Sequence, residues 1–508
     1  MHKEIFINVA QHEKRIAVLE NKRIEEFYTE RLDDVNLVGN IYKGRVESVL
    51  PGMGAAFVDI GLEKNGFLYV TDVVPGMGSY EKLLEEGVGE EDARKAERQK
   101  KLPPIAQLLK KGDEVLAQIV KEPINTKGAR LTTHISIPGR FLVLMPFDNH
   151  IGLSKRIESR EERDRIRKIM ENLKLPKDLG FIVRTAAQGA SDKDFMRESR
   201  YLINLWNNIK LKTRKTKAPA LIHSEYDLIL RVARDIFTSD VGRLEVDSKD
   251  DFRRILRFLN ILAPHLKPRL KLYDDKVPIF EKFDIEKQIE KIYDRIVQLK
   301  SGGYLIFEQT ESLVAIDVNS GKFIGRKNLE DTAFKTNIEA AEEVPRQLKL
   351  RDLGGIIIID FIDMDYADHR KSVFKTLERR LEDDKAKTNI LNISSIGLVE
   401  MTRQRVRESI ESKSYQKCPY CNGRGIVKSI STISIELIRK LEYVLQTSRS
   451  REIFVSMHPE VAYYVSSPEK NMIKSLERRF RKNIRIIEDP NIHIEEIRID
   501  QRNAVIPK

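Results

Sequence analysis

Two short apolar runs, each ending in an aspartate, constrain the fold of this chain more than any other feature. "LVAID" ends at Asp317 and "IIIID" ends at Asp360, with a charged, helix-like segment between them. A continuous apolar run such as "GGIIIIDFIDM" is typical of a strand buried in a parallel sheet. A strand, a crossover helix and a second strand predict two parallel strands whose carboxyl ends lie at the same edge. If the strands are neighbours, both carboxylates face one crevice, where open α/β sheets usually bind ligands.

The turn after the first aspartate, "VAIDVNSGKF", invites a nucleotide-binding interpretation because it contains a Gly-Lys pair. A phosphate-binding P-loop requires G-x-x-x-x-G-K-[ST], so that its backbone N–H groups can surround the phosphates. Ile316 occupies the position where the motif requires its first glycine. Phe323 follows Lys322, where the motif requires Ser or Thr. The sequence therefore excludes a P-loop here.

A metal site is the better interpretation of the same segment. Two close carboxylates repel each other unless a cation lies between them, and oxygen ligands suit Mg²⁺, with Mn²⁺ as the alternative. Such an ion can activate water and offset charge on a phosphate. Asn319 lies two residues beyond Asp317, on the same side of an extended chain, and Asp363 either joins the site or caps the following helix. The structural alternative is that Asp317 and Asp360 only cap turns after strands.

The chain has two cysteines, Cys418 and Cys421, in "KCPYCNGRG". A dithiol redox motif belongs just after a strand and at a helix N-terminus, whereas here a charged, helix-like segment precedes the pair and a Gly-rich turn follows. Such a turn is typical of a zinc knuckle, but a closed zinc site takes four ligands. Two chains that share one Zn²⁺ would supply them, and a free, reduced pair is the alternative.

Charge and composition favour a polyanionic partner. The chain has 90 Lys and Arg against 78 Asp and Glu, a formal net charge of +12. This surplus favours nucleic acid, although solvated helices are an alternative source of charge. No apolar run of about 18 residues predicts a membrane span, and the N-terminus lacks the apolar core of a signal peptide. We expect a cytoplasmic protein.

The segment from 36 to 133 has the pattern of strands and turns that is typical of a small barrel. Short strand-like runs with Gly-rich turns, interrupted by a charged insertion at 75–111, predict five strands of OB type. Exposed on such a barrel, Phe57 and Phe67 would stack on unpaired bases, with Lys43, Arg45 and Lys127 nearby for phosphates. The alternative is that both rings belong to the core.

A further strand, in "FIVRTAAQG", ends with Arg184 and Thr185. A guanidinium fork beside a hydroxyl is suited to a terminal phosphate. An ordinary strand end is the alternative.

Taken in order, these motifs resemble the ribonuclease E/G family of bacterial endoribonucleases. The resemblance extends along nearly the whole chain, through "GNIYKG", "AAFVDIG", "NTKGARLTT", "VRTAA", "AIDVNSG", "LKLRDLGGIIIIDFIDM", "RQRVRES" and "KCPYCNGRG". With no long tail before residue 508, the chain is more similar to the ribonuclease G branch than to full-length ribonuclease E.

The resemblance implies a multidomain α/β architecture. The implied parts are an RNase H-like part (1–35 and 230–292), an inserted OB-fold RNA-binding domain (36–133), a 5′-sensor (134–229), a DNase I-like catalytic domain (293–414), a zinc link (415–428) and a small α/β domain (429–508).

The resemblance also implies an activity: hydrolysis of single-stranded, A/U-rich RNA to 5′-phosphate and 3′-hydroxyl ends, in rRNA maturation and mRNA decay. Matching motifs imply that Asp317 and Asp360 are Mg²⁺ ligands and that Asn319 orients the scissile phosphate. They also imply that Arg184 and Thr185 contact a 5′-monophosphate, and that Phe57, Phe67 and Lys127 close over the RNA. Cys418 and Cys421 are implied to bind a Zn²⁺ shared by two chains of a homodimer or homotetramer.

Three departures from the family pattern qualify these expectations. Pro345 is expected to kink the crossover helix. Lys387 stands where the family has an arginine that assists the 5′-sensor, which predicts a weaker 5′-phosphate preference because lysine lacks the bidentate fork. The insertion at 75–111 is longer than its counterpart in ribonuclease E. A non-catalytic RNA-binding protein of the same architecture and a dithiol redox protein are the alternative functions.

Overall fold

The N-terminal segment forms an antiparallel meander, as its alternating apolar residues predict. The computed structural model describes residues 3–31, 36–73, 103–123, 128–310, 312–321, 329–382, 384–394, 396–405, 409–467 and 472–500. The meander comprises β1 (Lys3–Val9), β2 (Glu13–Glu20) and β3 (Arg23–Arg31). Ile5, Ile7, Ile16 and Val18 are fully buried, so one face of these strands belongs to a core.

Five strands then close into a barrel, which confirms the predicted five-stranded barrel and is consistent with the OB type. They are β4 (Ile41–Leu50), β5 (Ala55–Asp59), β6 (Gly66–Tyr69), β7 (Glu114–Lys121) and β8 (Arg130–Thr132), with the short helix α1 (Ile105–Leu108) before β7. The order is β4-β5-β6-β8-β7, and pairing of β4 with β7 closes the barrel. The predicted insertion at 75–111 lies outside the described residues up to 102.

A second small sheet follows the barrel. Its strands are β9 (Ile137–Pro138), β10 (Leu142–Met145), β11 (Ile151–Leu153) and β12 (Gly180–Val183), in the order β11-β12-β10-β9. Helices α2 (Arg160–Asn172) and α3 (Asp192–Lys215) begin after the serine caps Ser159 and Ser191. The chain then adds β13 (Ala220–His223) to the barrel, beside β4.

The next segment completes the sheet that the N-terminal meander began. It contains α4 (Leu228–Asp235), β14 (Val241–Val246), α5 (Lys249–Leu262), β15 (Leu270–Leu272), α6 (Ile279–Lys282) and α7 (Glu286–Glu290). The sheet has the order β15-β14-β1-β2-β3, with β14 parallel to β1. One sheet thus joins the first residues of the chain to residues near 270, with the barrel and the second sheet inserted between them.

A six-stranded sheet carries both aspartates. Its elements are β16 (Ile296–Gln298), β17 (Tyr304–Gln309), β18 (Leu313–Asn319), α8 (Leu329–Leu350), β19 (Gly355–Asp360), α9 (Ala367–Leu381), β20 (Thr388–Ile390) and β21 (Leu398–Arg403), followed by α10 (Ile410–Ser414). The strand order is β16-β17-β18-β19-β21-β20. Apolar residues of the central strands pack with α8 and α9 in one core. Pro345 lies buried within α8, which continues to Leu350.

The chain divides into two compact units, Met1–Ile410 and Glu411–Lys508. The second contains α11 (Ile430–Thr447), β22 (Glu452–Met457), α12 (Pro459–Ser466), α13 (Met472–Phe480), β23 (Asn483–Glu488) and β24 (Arg498–Asp500). Its sheet has the order β23-β22-β24, with β22 parallel to β23 and antiparallel to β24. No helix in the described part of the chain is long and apolar enough to cross a membrane.

Candidate active site

Asp317 and Asp360 are register partners on adjacent parallel strands. β18 pairs with β19 along five positions, and the last pair is Asp317 with Asp360. The predicted neighbouring strands are therefore confirmed. Both side chains are exposed, so the two carboxylates share one edge of the sheet and face solvent.

The alternation of the two strands explains this exposure. Val314, Ile316, Ile357 and Ile359 are at most 1 % exposed because they point into the core beneath α8 and α9. Since successive side chains of a strand point to opposite faces, the aspartates project from the face that the helices leave open.

Asn319 is the third polar group at this edge. Its Nδ2 donates a hydrogen bond of 2.8 Å to Oδ2 of Asp317. The two residues are two positions apart and so lie on the same face of β18. The amide of Asn319 fixes the orientation of the Asp317 carboxylate through Oδ2 and leaves Oδ1 available to a ligand.

Negative charge accumulates where the strands end. Partial burial raises the pKa of Asp360, and the negative charges of Asp317 and Asp363 raise it further. Like charges held this close favour a bound cation. No cluster of three or more His, Cys, Asp or Glu with metal-binding geometry occurs among the described residues. Two carboxylates nevertheless suit Mg²⁺, which usually takes one or two from the protein and fills its shell with water and phosphate oxygens.

Sequence reasoning missed the groups that shape the loop after β19. Asn337 of α8 is fully buried, donates to the carbonyl oxygen of Ile362 and accepts from its N–H. Glu330, in the first turn of α8, accepts N–H bonds from Asp365 and Tyr366. These bonds tie the helix that follows one aspartate to the loop that follows the other. The signal available in the sequence was an asparagine, Asn337, within the predicted crossover helix.

The predicted RNA-stacking rings lie side by side on the barrel. Phe57 and Phe67 are cross-strand partners with ring centroids 5.3 Å apart, and both are half-buried. Sequence reasoning missed Tyr69, whose ring lies 4.4 Å from that of Phe67, and Arg130, whose guanidinium lies 5.2 Å from the ring of Tyr69. The half-burial of the rings leaves an aromatic strip on the barrel surface.

Two of the three basic residues expected near these rings have partners within the protein. Lys43 and Arg45 form ion pairs with Glu114, at 2.7 and 3.6 Å. Lys43 also donates to the carbonyl oxygen of Thr216. Both side chains therefore have protein partners already. Lys127 lies outside the described residues.

Arg184 and Thr185 stand together at the end of β12. Nη1 of Arg184 donates to Asp235 at 2.5 Å and to the carbonyl oxygen of Gly139 at 2.6 Å. Burial raises the pKa of Asp235, but Arg184 and Arg234 outweigh it and hold the pKa below the usual range. The guanidinium is thus anchored beside the Thr185 hydroxyl, which lies 3.1 Å from that of Ser154.

The cysteine pair lies in a turn rather than at a helix start. Cys418 is exposed, and Cys421 Sγ accepts a hydrogen bond of 3.3 Å from the Gly425 N–H. That N–H lowers the pKa of the Cys421 thiol, and the neighbouring Cys418 and the N–H groups of Gly423 and Arg424 lower it further. The next helix, α11, begins at Ile430. The lowered pKa favours the thiolate form of Cys421, and the pair lacks the strand–helix setting of a redox dithiol.

Sequence comparisons agree with the geometry. The model of the "Ribonuclease E/G family" matches residues 136–406. Ribonuclease G of Escherichia coli (strain K12) is 40 % identical over 496 residues, which cover 98 % of this chain and 99 % of the relative. The chain belongs to the ribonuclease E/G family. Ribonuclease G of Haemophilus influenzae is 41 % identical over 95 % of this chain and 96 % of the relative. Ribonuclease E of E. coli (strain K12) is 34 % identical over 97 % of this chain but only 45 % of the relative.

A second model, "RNase E/G, Thioredoxin-like domain", matches residues 417–502. This match begins just before the cysteine pair and includes the three-stranded sheet of the second unit. In this member of the ribonuclease E/G family, the two cysteines therefore lie in a turn of the chain before α11, outside the sheet and helices of that unit.

Proposed function

We propose that this protein is a Mg²⁺-dependent endoribonuclease that cuts single-stranded, A/U-rich RNA and leaves 5′-phosphate and 3′-hydroxyl ends. Membership of the ribonuclease E/G family supports an endoribonuclease that acts in RNA processing. The observation that carries the proposal is the register pair of Asp317 and Asp360 on an open sheet face. We place its action in rRNA maturation and mRNA decay, in the cytoplasm.

In this proposal Asp317 and Asp360 hold the catalytic ion, with Mn²⁺ as a possible substitute for Mg²⁺. When bound, a divalent ion supplies an activated water and offsets charge on the phosphate. Asp317 is oriented by the amide of Asn319, and the same amide is proposed to orient the scissile phosphate. Asp360 must be ionised to bind a cation, and its raised pKa means that a proton competes for it. Hydrolysis forms a bond from water oxygen to phosphorus and breaks the bond from phosphorus to O3′.

The barrel is proposed to hold the RNA strand near the cut. Unpaired bases stack on aromatic rings, and the half-buried pair Phe57 and Phe67 offers such a surface. Tyr69 and Arg130 extend it by one ring and one cation. Lys127 is assigned a phosphate contact from the family motif alone.

Arg184 and Thr185 are proposed to bind a 5′-monophosphate. Asp235 and the carbonyl oxygen of Gly139 hold one nitrogen of the guanidinium, so that the other can face a phosphate. Lys387 is proposed to assist more weakly than an arginine would. The carbonyl oxygen of Lys385 accepts a hydrogen bond of 3.4 Å from Arg156, which links this segment to the loop before α2.

The second unit is proposed to join two chains through a shared Zn²⁺. Cys418 and Cys421 supply two thiolates, and two more from a second chain complete a tetrahedral site. The assembly is a homodimer or homotetramer. By the same proposal, 1–35 with 230–292 form the RNase H-like part, 36–133 the OB-fold domain, 134–229 the 5′-sensor, 293–414 the DNase I-like part, 415–428 the zinc link and 429–508 the small domain.

The proposal is tested by mapping product ends. A 5′-monophosphorylated, A/U-rich single-stranded RNA is incubated with the protein and Mg²⁺, and the new ends are sequenced and tested for phosphate. Internal cuts with 5′-phosphate and 3′-hydroxyl ends support the proposal. RNA that is bound but remains uncut under all conditions would instead indicate an RNA-binding protein of the same architecture.

A further inference from the structure

A pocket of about 430 Å³ lies beside the sheet edge that carries the aspartates. It is formed by the turn after β16 and the first half of α8, and its lining residues are Lys300, Ser301, Phe334, Lys335, Ile338 and Glu339. Its volume falls within the range typical of small-ligand sites, about 300–1,000 Å³.

Two glycines bring this turn against the end of β18. A Cβ at Gly303 would lie 2.8 Å from the carbonyl oxygen of Asn319, and a Cβ at Gly321 would lie 2.6 Å from the carbonyl oxygen of Gly302. Ser301 precedes Gly303 by two residues, so their Cα atoms are at most about 7 Å apart. The pocket therefore lies at the same edge of the sheet as Asp317 and Asn319, on the side that α8 covers, and an RNA strand that passes around this edge can contact both places.

The apolar wall of the pocket is packed against α9 and the core of the sheet. Phe334 stacks on His369 with ring centroids 4.1 Å apart and an interplanar angle of 19°. Nδ1 of His369 lies 2.7 Å from Glu330, which in turn accepts backbone N–H bonds from the loop after β19. Phe334 and Ile338 are both partly buried against the core of the sheet.

Three polar groups of the pocket have no side-chain partner among the described residues. Ser301 Oγ is buried and has no hydrogen-bond partner within the described residues, whereas its backbone N–H donates to Glu339 at 2.9 Å. Lys300 and Lys335 are exposed, and the described part of the chain gives neither of them an ion pair. A buried hydroxyl without a partner costs free energy, so it is a natural position for a ligand group.

We infer that this pocket binds one nucleotide of the RNA next to the scissile phosphate. The base packs against Phe334 and Ile338, and the Ser301 hydroxyl bonds to the polar edge of the base. Lys300 and Lys335 contact the flanking phosphates, since both are free to pair with anions. The inference rests on the proposed function, because it takes the strand to pass Asp317 and Asp360.

Abasic substitution tests the base contact. A 5′-monophosphorylated RNA with one cut site is prepared with a single abasic residue at each position around the cut, and KM and kcat are measured. For the wild type, we expect the abasic residue at one position to raise KM by at least about fivefold, with kcat nearly unchanged. In Ser301→Ala and Phe334→Leu, KM for the unmodified RNA rises and that position loses its effect.

Salt dependence tests the phosphate contacts. Lys335→Ala should reduce the slope of log affinity against log salt by about 0.7, the value for one phosphate of a single strand. Lys375→Ala, an exposed lysine on α9 outside the pocket, is the matched control and should retain the wild-type slope. Ser301→Ala guards against unfolding, because it removes a buried hydroxyl without a partner among the described residues and should not lower the melting temperature.

Two failures are distinguishable. If the wild type cuts RNA but all pocket variants keep its KM, salt slope and abasic profile, the pocket inference is overturned. If the wild type binds RNA without cutting it, the proposed function fails, and fluorescence anisotropy with the same RNAs still reports whether the pocket variants weaken binding.

Discussion

Asn337 holds the backbone of Ile362 by two hydrogen bonds, donating to its carbonyl oxygen at 2.7 Å and accepting from its N–H at 3.1 Å. Asn337 lies in α8, and Ile362 follows the catalytic candidate Asp360 by two residues. A fully buried side chain thus fixes the loop that carries Asp363.

Replacing Asn337 with alanine should impair both stability and catalysis. The change leaves the N–H and the carbonyl oxygen of the half-buried Ile362 without their Asn337 partners, which costs about 2–4 kcal/mol in the free energy of unfolding. It also frees the loop after Asp360, so kcat should fall more than KM changes. Denaturant unfolding and steady-state cleavage measure the two effects. Thr336→Val is the control, because the Thr336 hydroxyl donates within its own helix, to the carbonyl oxygen of Thr332 at 2.9 Å, and the variant should keep the wild-type kcat.

Glu198 should make stability depend on pH. Burial raises the pKa of this carboxyl to about 7, although the N–H groups of Leu142 and Phe141 oppose the shift. A carboxyl with a raised pKa in the folded state contributes stability below its unfolded pKa, and loses it as pH rises through the folded value. The free energy of unfolding should therefore fall between pH 4.5 and 7, by at most about 1.4 kcal/mol per pH unit from this group.

Glu198→Gln isolates that contribution. Gln keeps the oxygen that accepts from Phe141 and Leu142 at 2.9 and 3.1 Å but cannot ionise. Thermal unfolding at pH 5.5, 6.5 and 7.5 should show a weaker pH dependence in the variant than in the wild type. Parallel curves for the two proteins would contradict the assignment.

Arg184 should decide the preference for 5′-monophosphorylated RNA. Arg184→Gln removes the charge and the fork, so the ratio of cleavage rates for 5′-monophosphate and 5′-hydroxyl substrates should fall towards one. Arg184→Lys, which keeps only the charge, should lie between. Arg167→Gln, on the exposed face of α2, serves as the control. A ratio that is unchanged in Arg184→Gln would refute the sensor role.

Cys418 should link zinc to assembly. We expect half an equivalent of zinc per chain, and Cys418→Ser should lose both the metal and the larger assembly. Elemental analysis and sedimentation measure the two quantities on the same samples. One zinc per chain, or an assembly that survives the substitution, would count against a shared site.

Periodicity predicted the parts of this fold that depend on burial. The apolar runs before Asp317 and Asp360 predict neighbouring parallel strands, and the register of β18 with β19 agrees. The barrel was predicted from Gly-rich turns between short strands, since turns and alternating apolar residues are local signals. Both predictions succeed because one chain segment contains the information.

Contacts between distant segments could not be predicted in this way. Arg184 bonds to Asp235 from another element, and Lys43 of β4 pairs with Glu114 of β7. No periodicity reports which charge a long side chain will reach after folding. The role of Asn337 was missed for the same reason, since its partner is a backbone group in another loop.

The central claim is that Asp317 and Asp360 form a metal-dependent centre for RNA cleavage. The most direct measurement compares wild type, Asp317→Asn and Asp360→Asn on one 5′-monophosphorylated RNA, with Mg²⁺ or with EDTA, and records cleavage and binding together. We predict internal cuts only for the wild type with Mg²⁺, a loss of at least about a hundredfold in rate for each variant, and retained RNA binding by all three proteins. Cleavage by Asp317→Asn at the wild-type rate would contradict the account.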